Sequence, residues 1–387
     1  MSGPAANKRA LIAMSGGVDS AVAALLMLRA GYACVGVTMK LFDDPGAEPS
    51  SLGAGQGWPG AEPGSPGSVP AAAGRRGGDC CSLEDAEDAR YVAHALGIPH
   101  YVFNFAAGFR EQVVGRFVRA YQEGLTPNPC IDCNRYIKFD QLLRRAEALA
   151  FDRVATGHYA RTEADGGSGR RLLRKAADSA KDQSYVLYML SQSQLARIRF
   201  PLGEMRKAQV RELAAQAGFI NAGKRESQDI CFVRDGDYGA FIDRYTGVPA
   251  PAGDFVDGAG APLGEHRGLT RYTVGQRKGL GLALGEPLYV CDKDAGTNTV
   301  RLGRESELYN RELLAAGLNL IAVERLERPR RVRAKIRYRQ AEQPALAEQL
   351  DGDTLRVVFD QPQRAIAKGQ AVVLYEDDIV LGGGTIV

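Results

Sequence analysis

The feature that most restricts the fold is a glycine-rich turn near the start of the chain, placed between two apolar runs. The turn reads Met14-Ser15-Gly16-Gly17-Val18-Asp19-Ser20; residues 9–13 before it have the pattern of a strand, and residues 21–30 after it that of a helix. Paired glycines let a chain turn tightly and bring its N–H groups close to an anion, and the dipole of the following helix favours negative charge there. The sequence therefore predicts a phosphate-binding loop, without the Lys-Ser/Thr ending of a Walker loop.

A second strand-like run completes a β-α-β unit over residues 8–42. It begins at Tyr32 and continues through Met39. Such a unit implies a parallel sheet, with the phosphate-binding loop at the carboxyl edge of that sheet. The adenine of a nucleotide bound there would lie near Met39. The predicted fold class is therefore α/β with a parallel sheet.

Composition places the chain among ordinary globular proteins. Its 387 residues, 45% hydrophobic and 25% charged, are enough for two or three domains. No apolar run approaches the roughly 20 residues of a membrane helix, and residues 1–8 lack the apolar core of a signal peptide. We therefore expect a cytoplasmic protein. The net charge of +3 permits a nucleic-acid partner without requiring one.

Residues 45–78 interrupt the α/β pattern. They consist almost entirely of Gly, Pro, Ala, Ser and Glu, so we expect a disordered insertion at the surface. The pattern resumes at Asp79, followed by Cys80 and Cys81. We interpret these two cysteines as buried or incidental thiols, because no paired ligand set lies near them in sequence.

A Cys-x-x-Cys spacing occurs at Cys130 and Cys133, in a proline-containing loop ahead of a predicted helix over residues 139–150. A thiol near a helix N-terminus and flanked by Arg135 and Lys138 is expected to have a pKa lowered toward the reactive thiolate. This favours a catalytic thiol. A thioredoxin-type redox site would need a different order of elements, and half of a zinc site would need two further ligands.

Three more polar segments carry candidate site residues. Cys231 lies in Ser227-Gln228-Asp229-Ile230-Cys231-Phe232, at the end of a predicted strand, and can meet the first pair because such sites collect residues from several strand ends. His158 follows another strand, and Lys181 precedes a helix. Either residue is a candidate for a phosphate or nucleotide contact, or is a solvated loop residue.

The C-terminal part of the chain has the pattern of short strands separated by Gly and Pro. We predict a catalytic domain over residues 1–244, a small β-rich domain over 245–310 and a β-barrel over 311–387. The basic, glycine-rich residues 275–281 either contact phosphate or form a turn.

Residues 325–340 are strongly basic, with eight Lys or Arg among sixteen positions. Within them, apolar and basic residues alternate over residues 332–339, which predicts a strand with one apolar and one positive face. Charged faces are often only solvated, but this one favours contact with nucleic-acid phosphates.

Six of these motifs occur in an order that resembles the bacterial tRNA-uridine 2-sulfurtransferase (2-thiouridylase) family of the ATP-pyrophosphatase superfamily. The motifs are residues 15–20, 128–134, 157–159, 181–183, 227–232 and 272–279. The resemblance covers the chain apart from the insertion. It implies adenylation of the C2 oxygen of the wobble uridine of tRNA by ATP, release of AMP and pyrophosphate, and sulfur transfer to C2. It also implies two partners: tRNAs for Glu, Gln and Lys, and a persulfide sulfur-donor protein.

The resemblance assigns roles to the residues at matching positions. Cys231 would receive sulfur as a persulfide, and Cys133 would act as nucleophile or resolving thiol, releasing sulfide or forming a disulfide with Cys231. Asp19 is suited to hold Mg²⁺ or to cap the helix. The implied ATP contacts are Ala13, Met14, Ser15, Gly16, Gly17, Val18, Asp19, Ser20, Met39 and Gly157; the implied contacts to the flipped-out base are Asn128, Pro129 and Cys130; and those to tRNA are His158, Lys181, Asp182, Gln183, Arg337, Tyr338 and Gln370.

Cys130 departs from the family pattern, in which Asp is frequent at this position. A third thiol beside Cys133 and Cys231 would allow a [4Fe–4S] cluster with one open iron that binds sulfide. The sequence leaves open the persulfide relay and the cluster. The sequence also leaves open two other classes of protein: a small-molecule synthetase of the same superfamily and a non-catalytic RNA-binding metal protein.

Overall fold

The computed structural model describes residues 8–42, 83–224, 230–233, 236–283 and 285–387. The predictions made for residues 45–78, for Cys80 and Cys81, and for residues 227–229 lie outside these ranges. No helix within the described ranges is long and apolar enough to cross a membrane.

The first part of the chain forms a five-stranded sheet in which every pairing is parallel. The strands, in sheet order, are β3 (His100–Asn104), β2 (Ala33–Lys40), β1 (Arg9–Ala13), β4 (Arg153–Ala155) and β7 (Ile198–Arg199). Because β2 lies on one side of β1 and β4 on the other, the loops that follow β1 and β4 diverge and leave a crevice suited to a ligand.

Helices cover both faces of this sheet. They are α1 (Val18–Arg29), α2 (Leu83–Ala95), α3 (Ala106–Phe109), α4 (Arg116–Gln122), α5 (Pro129–Asp132), α6 (Leu142–Ala148), α7 (Gln192–Arg197), α8 (Lys207–Gln216) and α9 (Tyr238–Thr246), with π-helical segments Arg110–Gly115 and Cys133–Gln141 between α3 and α4 and between α5 and α6. Successive side chains of a strand point to opposite faces, so Leu11 belongs to a hydrophobic cluster with α3–α6, and Ile12 to another with α1, α2 and α8.

Two further sheets follow. The strands β8 (Gly253–Val256), β9 (Pro262–His266), β10 (Tyr289–Asp294) and β11 (Thr299–Gly303) form a four-stranded sheet with a small core around Phe255. The last strands are β12 (Tyr309–Leu320), β13 (Arg330–Lys335), β14 (Gln343–Gln349), β15 (Leu355–Arg364), β16 (Ala371–Glu376) and β17 (Ile379–Ile386). Because β12 pairs with both β15 and β17, these six strands close into a barrel. The predicted fold class, a parallel-sheet domain followed by two β-rich domains of which the last is a barrel, is confirmed.

A hairpin from the first part of the chain extends the last sheet. Its strands are β5 (Arg161–Ala164) and β6 (Arg171–Arg174), and Arg174 pairs with Ile379 of β17. Arg174 also donates to both carboxylate oxygens of Asp378, at 3.0 and 2.7 Å. The barrel is therefore joined to the parallel-sheet part of the chain through backbone and side-chain bonds.

The helix that carries the two cysteines begins earlier than the sequence pattern predicts. It runs from Pro129 through Ala148, not from residue 139, so Cys130 and Cys133 lie in its first turns and not in a rigid loop. The reason is local: Pro129 occupies the first helical position, where no N–H donor is needed, and the Asn128 side chain caps the helix by accepting from the Cys130 N–H at 3.1 Å.

Two predicted strands are corrected. β13 ends at Lys335, so the alternation expected through residue 339 breaks, and Arg337 lies in the turn after the strand. The residues described around Cys231, 230–233, form a turn in which the Val233 N–H donates to the Ile230 carbonyl, and not the end of a strand.

Candidate active site

The turn between β1 and α1 is closed by its own two serines. The Ser20 hydroxyl donates to the Gly17 carbonyl at 2.9 Å and accepts from the Ser15 N–H at 3.1 Å. Gly16 has a φ of +72°, a left-handed conformation that glycine adopts without a Cβ penalty. The loop thus lies at the amino end of α1, where backbone N–H groups and the helix dipole stabilise an anion.

Two neighbouring segments approach this loop so closely that only glycine fits. A Cβ on Gly157, just after β4, would lie 2.8 Å from both the carbonyl carbon of Asp19 and the nitrogen of Ser20. A Cβ on Gly16 would lie 2.3 Å from the carbonyl oxygen of Asp85 in α2. Gly157, which the family resemblance assigns to ATP, therefore lies directly against the phosphate-binding loop.

The Asp19 carboxylate accepts hydrogen bonds from two side chains that are distant in sequence. The Tyr159 hydroxyl donates to Oδ1 at 2.8 Å, and Lys207 Nζ lies 2.7 and 2.8 Å from the two carboxylate oxygens. Lys207 has no local signal in the sequence, because it lies 188 positions from Asp19 at the start of an ordinary helix. Only the packing of the chain identifies it as a site residue.

A second group of side chains holds the loop from the side of α2. Asn221 Nδ2 donates to the Gly16 carbonyl at 2.9 Å, and Lys224 Nζ donates to Asp85 and Asp88, each at 2.6 Å. Burial alone would lower the pKa of Lys224, but the hydrogen bonds to both carboxylates raise it above its ordinary value. Lys224 is therefore a charged residue that fastens α2 beside the loop.

Met39 lies where the adenine is predicted to bind, at the end of β2 and paired with Phe103 of β3. Its side chain is buried in the hydrophobic cluster on the α3–α6 side of the sheet, which also contains Ala13, the residue before the loop. The contact of Met39 with a nucleotide stays a prediction.

Cys133 and Cys231 both contribute to this same cluster, whereas Cys130 is exposed. Cys133 is a buried member of the cluster, and the partly buried Cys231 packs against it. Of the described residues, no three His, Cys, Asp or Glu side chains form a group that could hold a metal ion.

Asp132, between the two helix cysteines, is a mostly buried carboxylate. Burial raises its pKa, and the guanidinium of Arg116 opposes that rise with Nε at 3.5 Å from Oδ2. The same guanidinium lies over the ring of Tyr136, 5.1 Å from its centre. These contacts fix α4 against the start of the helix over residues 129–148, called here the cysteine helix.

The loop before the cysteine helix is fastened by both β domains. Gln370 Nε2 donates to the carbonyl of Thr126 at 2.8 Å and to that of Pro127 at 3.5 Å. From the central sheet, Lys293 Nζ donates to the Leu125 carbonyl at 3.3 Å, and burial lowers the pKa of this lysine to about 8. The side-chain amide of Gln370, a predicted tRNA contact, thus positions the loop that leads to the cysteines.

Two of the polar residues predicted at 181–183 also support the backbone. The Asp182 carboxylate accepts from the N–H and the hydroxyl of Ser184, at 3.2 and 2.8 Å. Gln183 Oε1 accepts from the Tyr159 N–H at 2.9 Å. Gln183 therefore fixes the segment whose Tyr159 hydroxyl reaches Asp19.

His158 is a buried residue and not a solvated one. Its Nδ1 lies 2.7 Å from the hydroxyl of Thr156, and its ring packs against those of Phe139 and Phe200. Burial, with a smaller contribution from the positive charge of Lys138, lowers the pKa of His158 well below its ordinary value. A neutral imidazole in this position supports the segment after β4 and does not supply a positive charge to a phosphate.

The buried His158 makes stability dependent on pH. It stays neutral in the folded protein, whereas in the unfolded chain it binds a proton below its ordinary pKa of 6.5. Unfolding then takes up a proton, so the free energy of unfolding falls as pH drops below 6.5. We expect His158→Gln to reduce this slope by up to about 1.4 kcal/mol per pH unit, as measured by urea unfolding between roughly pH 5 and 6.5. The exposed His94, changed to Gln, is the control; an unchanged slope in His158→Gln would contradict the buried neutral state.

The basic residues after β12 are largely engaged by acidic or aromatic neighbours. The contacts are Arg331 with Asp360, Arg333 with Glu342, and Lys335 over the rings of Tyr185 and Tyr338. Arg337 Nη2 donates to the Ala365 carbonyl at 2.9 Å. Neighbouring carboxylates therefore reduce the positive charge of the face predicted from sequence. Tyr338 keeps 37% of its surface exposed.

Fold and site together define a class of protein. A phosphate-binding loop lies at the carboxyl edge of a parallel sheet, and a helix with two cysteines in its first turns packs on one face of that sheet. Two β domains are fastened to the segment before that helix. This is the organisation of a nucleotide-using α/β enzyme of the ATP-pyrophosphatase type.

Comparisons with known proteins agree with this class and narrow it. Family models match consecutive parts of the chain: a tRNA methyl transferase HUP domain at residues 8–53 and 70–235, a tRNA methyl transferase PRC-barrel domain at 239–304, and an aminomethyltransferase beta-barrel domain at 310–386. The chain is 46% identical to the tRNA-specific 2-thiouridylase MnmA of Acetivibrio thermocellus, over 98% of this chain and 99% of that protein. It is 48% identical to MnmA 1 of Thermoanaerobacter pseudethanolicus, over 98% of each chain. The chain belongs to the tRNA-specific 2-thiouridylase family.

Proposed function

We propose that this protein converts the wobble uridine of tRNA to 2-thiouridine and cleaves ATP to AMP and pyrophosphate in the process. ATP-dependent formation of 2-thiouridine in tRNA is the activity of its family. The observation that carries the proposal is one contiguous hydrophobic cluster: Ala13, Met39 and Cys133 belong to it, and Cys231 packs against it. A nucleotide in the loop after Ala13 and a sulfur atom on either cysteine would then border the same cluster.

The ATP site is assigned to residues 13–20, Met39 and Gly157. Backbone N–H groups at the start of α1 stabilise the phosphates. Gly157 has no Cβ, so the segment after β4 packs against the loop without displacing it. The Asp19 carboxylate and the loop hydroxyls are oxygen donors of the kind that Mg²⁺ prefers, so they fit a magnesium ion bound with the nucleotide. Such an ion would neutralise charge on the phosphates.

The chemistry requires a good leaving group at C2. Adenylation of the C2 oxygen supplies one, because that oxygen then departs as part of AMP. The terminal sulfur of a persulfide on Cys231 attacks C2 and displaces AMP. The Cys133 thiolate then attacks Sγ of Cys231; the sulfur–sulfur bond breaks, its electron pair stays with the sulfur on C2, and a Cys133–Cys231 disulfide forms. A thiol reductant must restore both thiols before the next cycle.

The alternatives are not favoured. A [4Fe–4S] cluster on Cys130, Cys133 and Cys231 would need the three side chains as one ligand group, which the described residues do not form. A small-molecule synthetase of the same superfamily is disfavoured because relatives that match nearly the whole chain are named as tRNA-modifying enzymes.

The proposed partners are tRNA, in particular those for Glu, Gln and Lys, and a persulfide-donor protein; the proposed location is the cytoplasm. The base contacts are assigned to Asn128, Pro129 and Cys130 at the start of the cysteine helix, where Cys130 is exposed, Asn128 partly buried and Pro129 buried. Lys181 and Tyr338, both partly exposed, are the proposed contacts to the rest of the tRNA. The hydrogen bonds and packing described above favour a different role, that of positioning the tRNA-binding segments, for five further residues: His158, Asp182, Gln183, Arg337 and Gln370.

The test is a reconstituted reaction with purified protein, tRNA, ATP and a persulfide donor. We expect 2-thiouridine and AMP to form in equal amounts with a tRNA that has uridine at the wobble position, and neither to form when that uridine is replaced by cytidine. Iron and acid-labile sulfide are measured in the same sample. Full activity without iron supports the thiol relay, whereas activity that requires an iron–sulfur cluster would contradict it. AMP formation at the same rate with and without tRNA would contradict the assignment of tRNA as the substrate.

A further inference from the structure

A cavity of about 330 Å³ lies where the start of α9 meets the central β domain, and the function proposed above does not use it. Its lining includes Gly236 and Gly239 around the start of the helix, and Arg267 and Thr270 in the segment after β9. Gly236 is five residues from Cys231, so their Cα atoms are at most about 18 Å apart. A ligand in this cavity would therefore lie close to the chain segment that carries Cys231.

Thr270 brings an unpaired donor to this cavity. The residue is only 4% exposed, and within the described part of the chain its Oγ1 has no hydrogen-bond partner. Buried hydroxyl groups nearly always have a partner, because leaving one unpaired costs free energy. The Thr270 hydroxyl is therefore suited to donate to an oxygen atom of a ligand.

The exposed guanidinium of Arg267 adds a positive charge. Among the residues that the structure describes, no carboxylate forms an ion pair with it, whereas Arg271 is paired with Asp243 of α9. Arg271 Nε also donates to the Arg267 carbonyl at 3.1 Å. Arg271 thus fixes the backbone of this segment, and the charge of Arg267 remains for an anion.

The start of α9 favours an anion as well. The helix begins at Tyr238, and its second residue, Gly239, lines the cavity, so the positive end of the helix dipole lies there. Of the described lining residues only Asp237 is acidic, and its carboxylate caps the helix by accepting from the Ala240 N–H at 2.9 Å. The cavity therefore combines a cation, a hydroxyl donor and a helix N-terminus.

The basic, glycine-rich segment at residues 275–281 borders the same cavity. It forms a turn in which Gln276 Nε2 donates to the Lys278 carbonyl at 2.9 Å. Gly279 of this turn lines the cavity, and the side chains of Arg277 and Lys278 are exposed beside it. The turn therefore adds positive charge at the edge of the cavity.

We propose that this cavity binds a backbone phosphate in the anticodon arm of tRNA, with Arg267 and Thr270 as donors. The inference rests on the tRNA substrate proposed above. Arginine, hydroxyl side chains and helix N-termini are common donors to nucleic-acid phosphates. The anticodon arm is the part that reaches the cavity, because it carries the wobble uridine and the cavity adjoins the segment of Cys231. Such a contact positions the RNA without reading its sequence.

The test measures the affinity of a fluorescently labelled anticodon stem-loop with a wobble uridine, by anisotropy over a range of salt concentrations. We expect Arg267→Gln to weaken binding roughly tenfold at low salt, and to reduce the slope of log affinity against log salt by about 1. We expect Thr270→Val, which keeps the shape of the side chain, to weaken binding several-fold without lowering the unfolding temperature, because it removes the unpaired hydroxyl. Arg304→Gln removes the same charge outside the cavity and is the control.

The inference is overturned if Arg267→Gln keeps the affinity and the salt slope of the unaltered protein, or if Arg304→Gln changes both equally. Calorimetry with inorganic phosphate distinguishes a free anion from RNA. Phosphate binding that depends on Arg267, with stem-loop affinity unchanged in Arg267→Gln, would overturn the RNA assignment. Failure of the unaltered protein to bind either the stem-loop or full-length tRNA would instead overturn the proposed function, and this inference with it.

Discussion

Replacement of Cys133 or Cys231 by alanine is expected to abolish tRNA thiolation while ATP binding persists. The proposed relay needs a persulfide on one thiol and attack by the other, so the loss of either sulfur atom stops transfer. The phosphate-binding loop is built from residues 14–20 and keeps its shape. Changing Cys to Ala in the cluster removes the sulfur atom and leaves a methyl group, which costs roughly 1 kcal/mol of stability. Thiolation is measured by mass spectrometry of tRNA nucleosides, and ATP binding by calorimetry.

Two other cysteines provide matched controls for this pair. Cys291→Ala makes the same change at a partly buried position of β10, outside the cluster, and is expected to leave thiolation intact. Cys130→Ala is expected to retain thiolation if the exposed thiol only contacts the base. Loss of activity together with loss of bound iron in Cys130→Ala would point to the cluster mechanism. Retained thiolation in Cys133→Ala or Cys231→Ala would refute the assignment of the pair.

Replacement of Gly157 by alanine is expected to weaken ATP binding by about 100-fold or more. The added Cβ would lie 2.8 Å from two backbone atoms of residues 19 and 20, and a backbone contact cannot be relieved by turning a side chain. The loop must therefore move away from the end of β4, which disturbs the N–H groups that face the phosphates. A 100-fold loss corresponds to about 2.7 kcal/mol of binding free energy, well within the range of calorimetry.

The control for this change is Gly166→Ala in the turn between β5 and β6. A Cβ there would meet nothing within 4 Å, so ATP affinity and thermal stability should stay the same. Circular dichroism shows whether Gly157→Ala remains folded. ATP affinity equal to that of the unaltered protein in folded Gly157→Ala would contradict the close packing of β4 against the loop.

Local features of the fold could be predicted because they depend on neighbouring residues. The strand, Gly16-Gly17 turn and helix at the start of the chain follow from apolar spacing and from glycine conformations, which act over a few residues. The start of the cysteine helix was misplaced, although Pro129 and the Asn128 cap were visible in the sequence. Proline was interpreted as a loop former, whereas at the first helical position it stabilises the helix.

Residues of the candidate site could be predicted from the sequence only where they belong to a recognisable motif. The loop after Ala13 and the cysteines were found because their spacing is distinctive. No motif marks Lys207. The amide nitrogen of Gln370, a predicted tRNA contact, donates to the Thr126 carbonyl, 244 positions away, and that bond has no signal in the sequence. Such partners depend on which surfaces of the folded chain meet, and no periodicity along the sequence records that.

By itself, the sequence determined the phosphate-binding loop, the α/β class, the β-rich C-terminal part and the family, because each depends on local preferences or on the order of motifs. The tertiary structure alone decided which distant groups share the site. It buried His158 against two aromatic rings and placed Cys133 and Cys231 at one hydrophobic cluster. It also placed Lys207 on Asp19. These outcomes depend on packing of the whole sheet, its helices and the barrel, where each contact is stabilised by many others that are far apart in the chain.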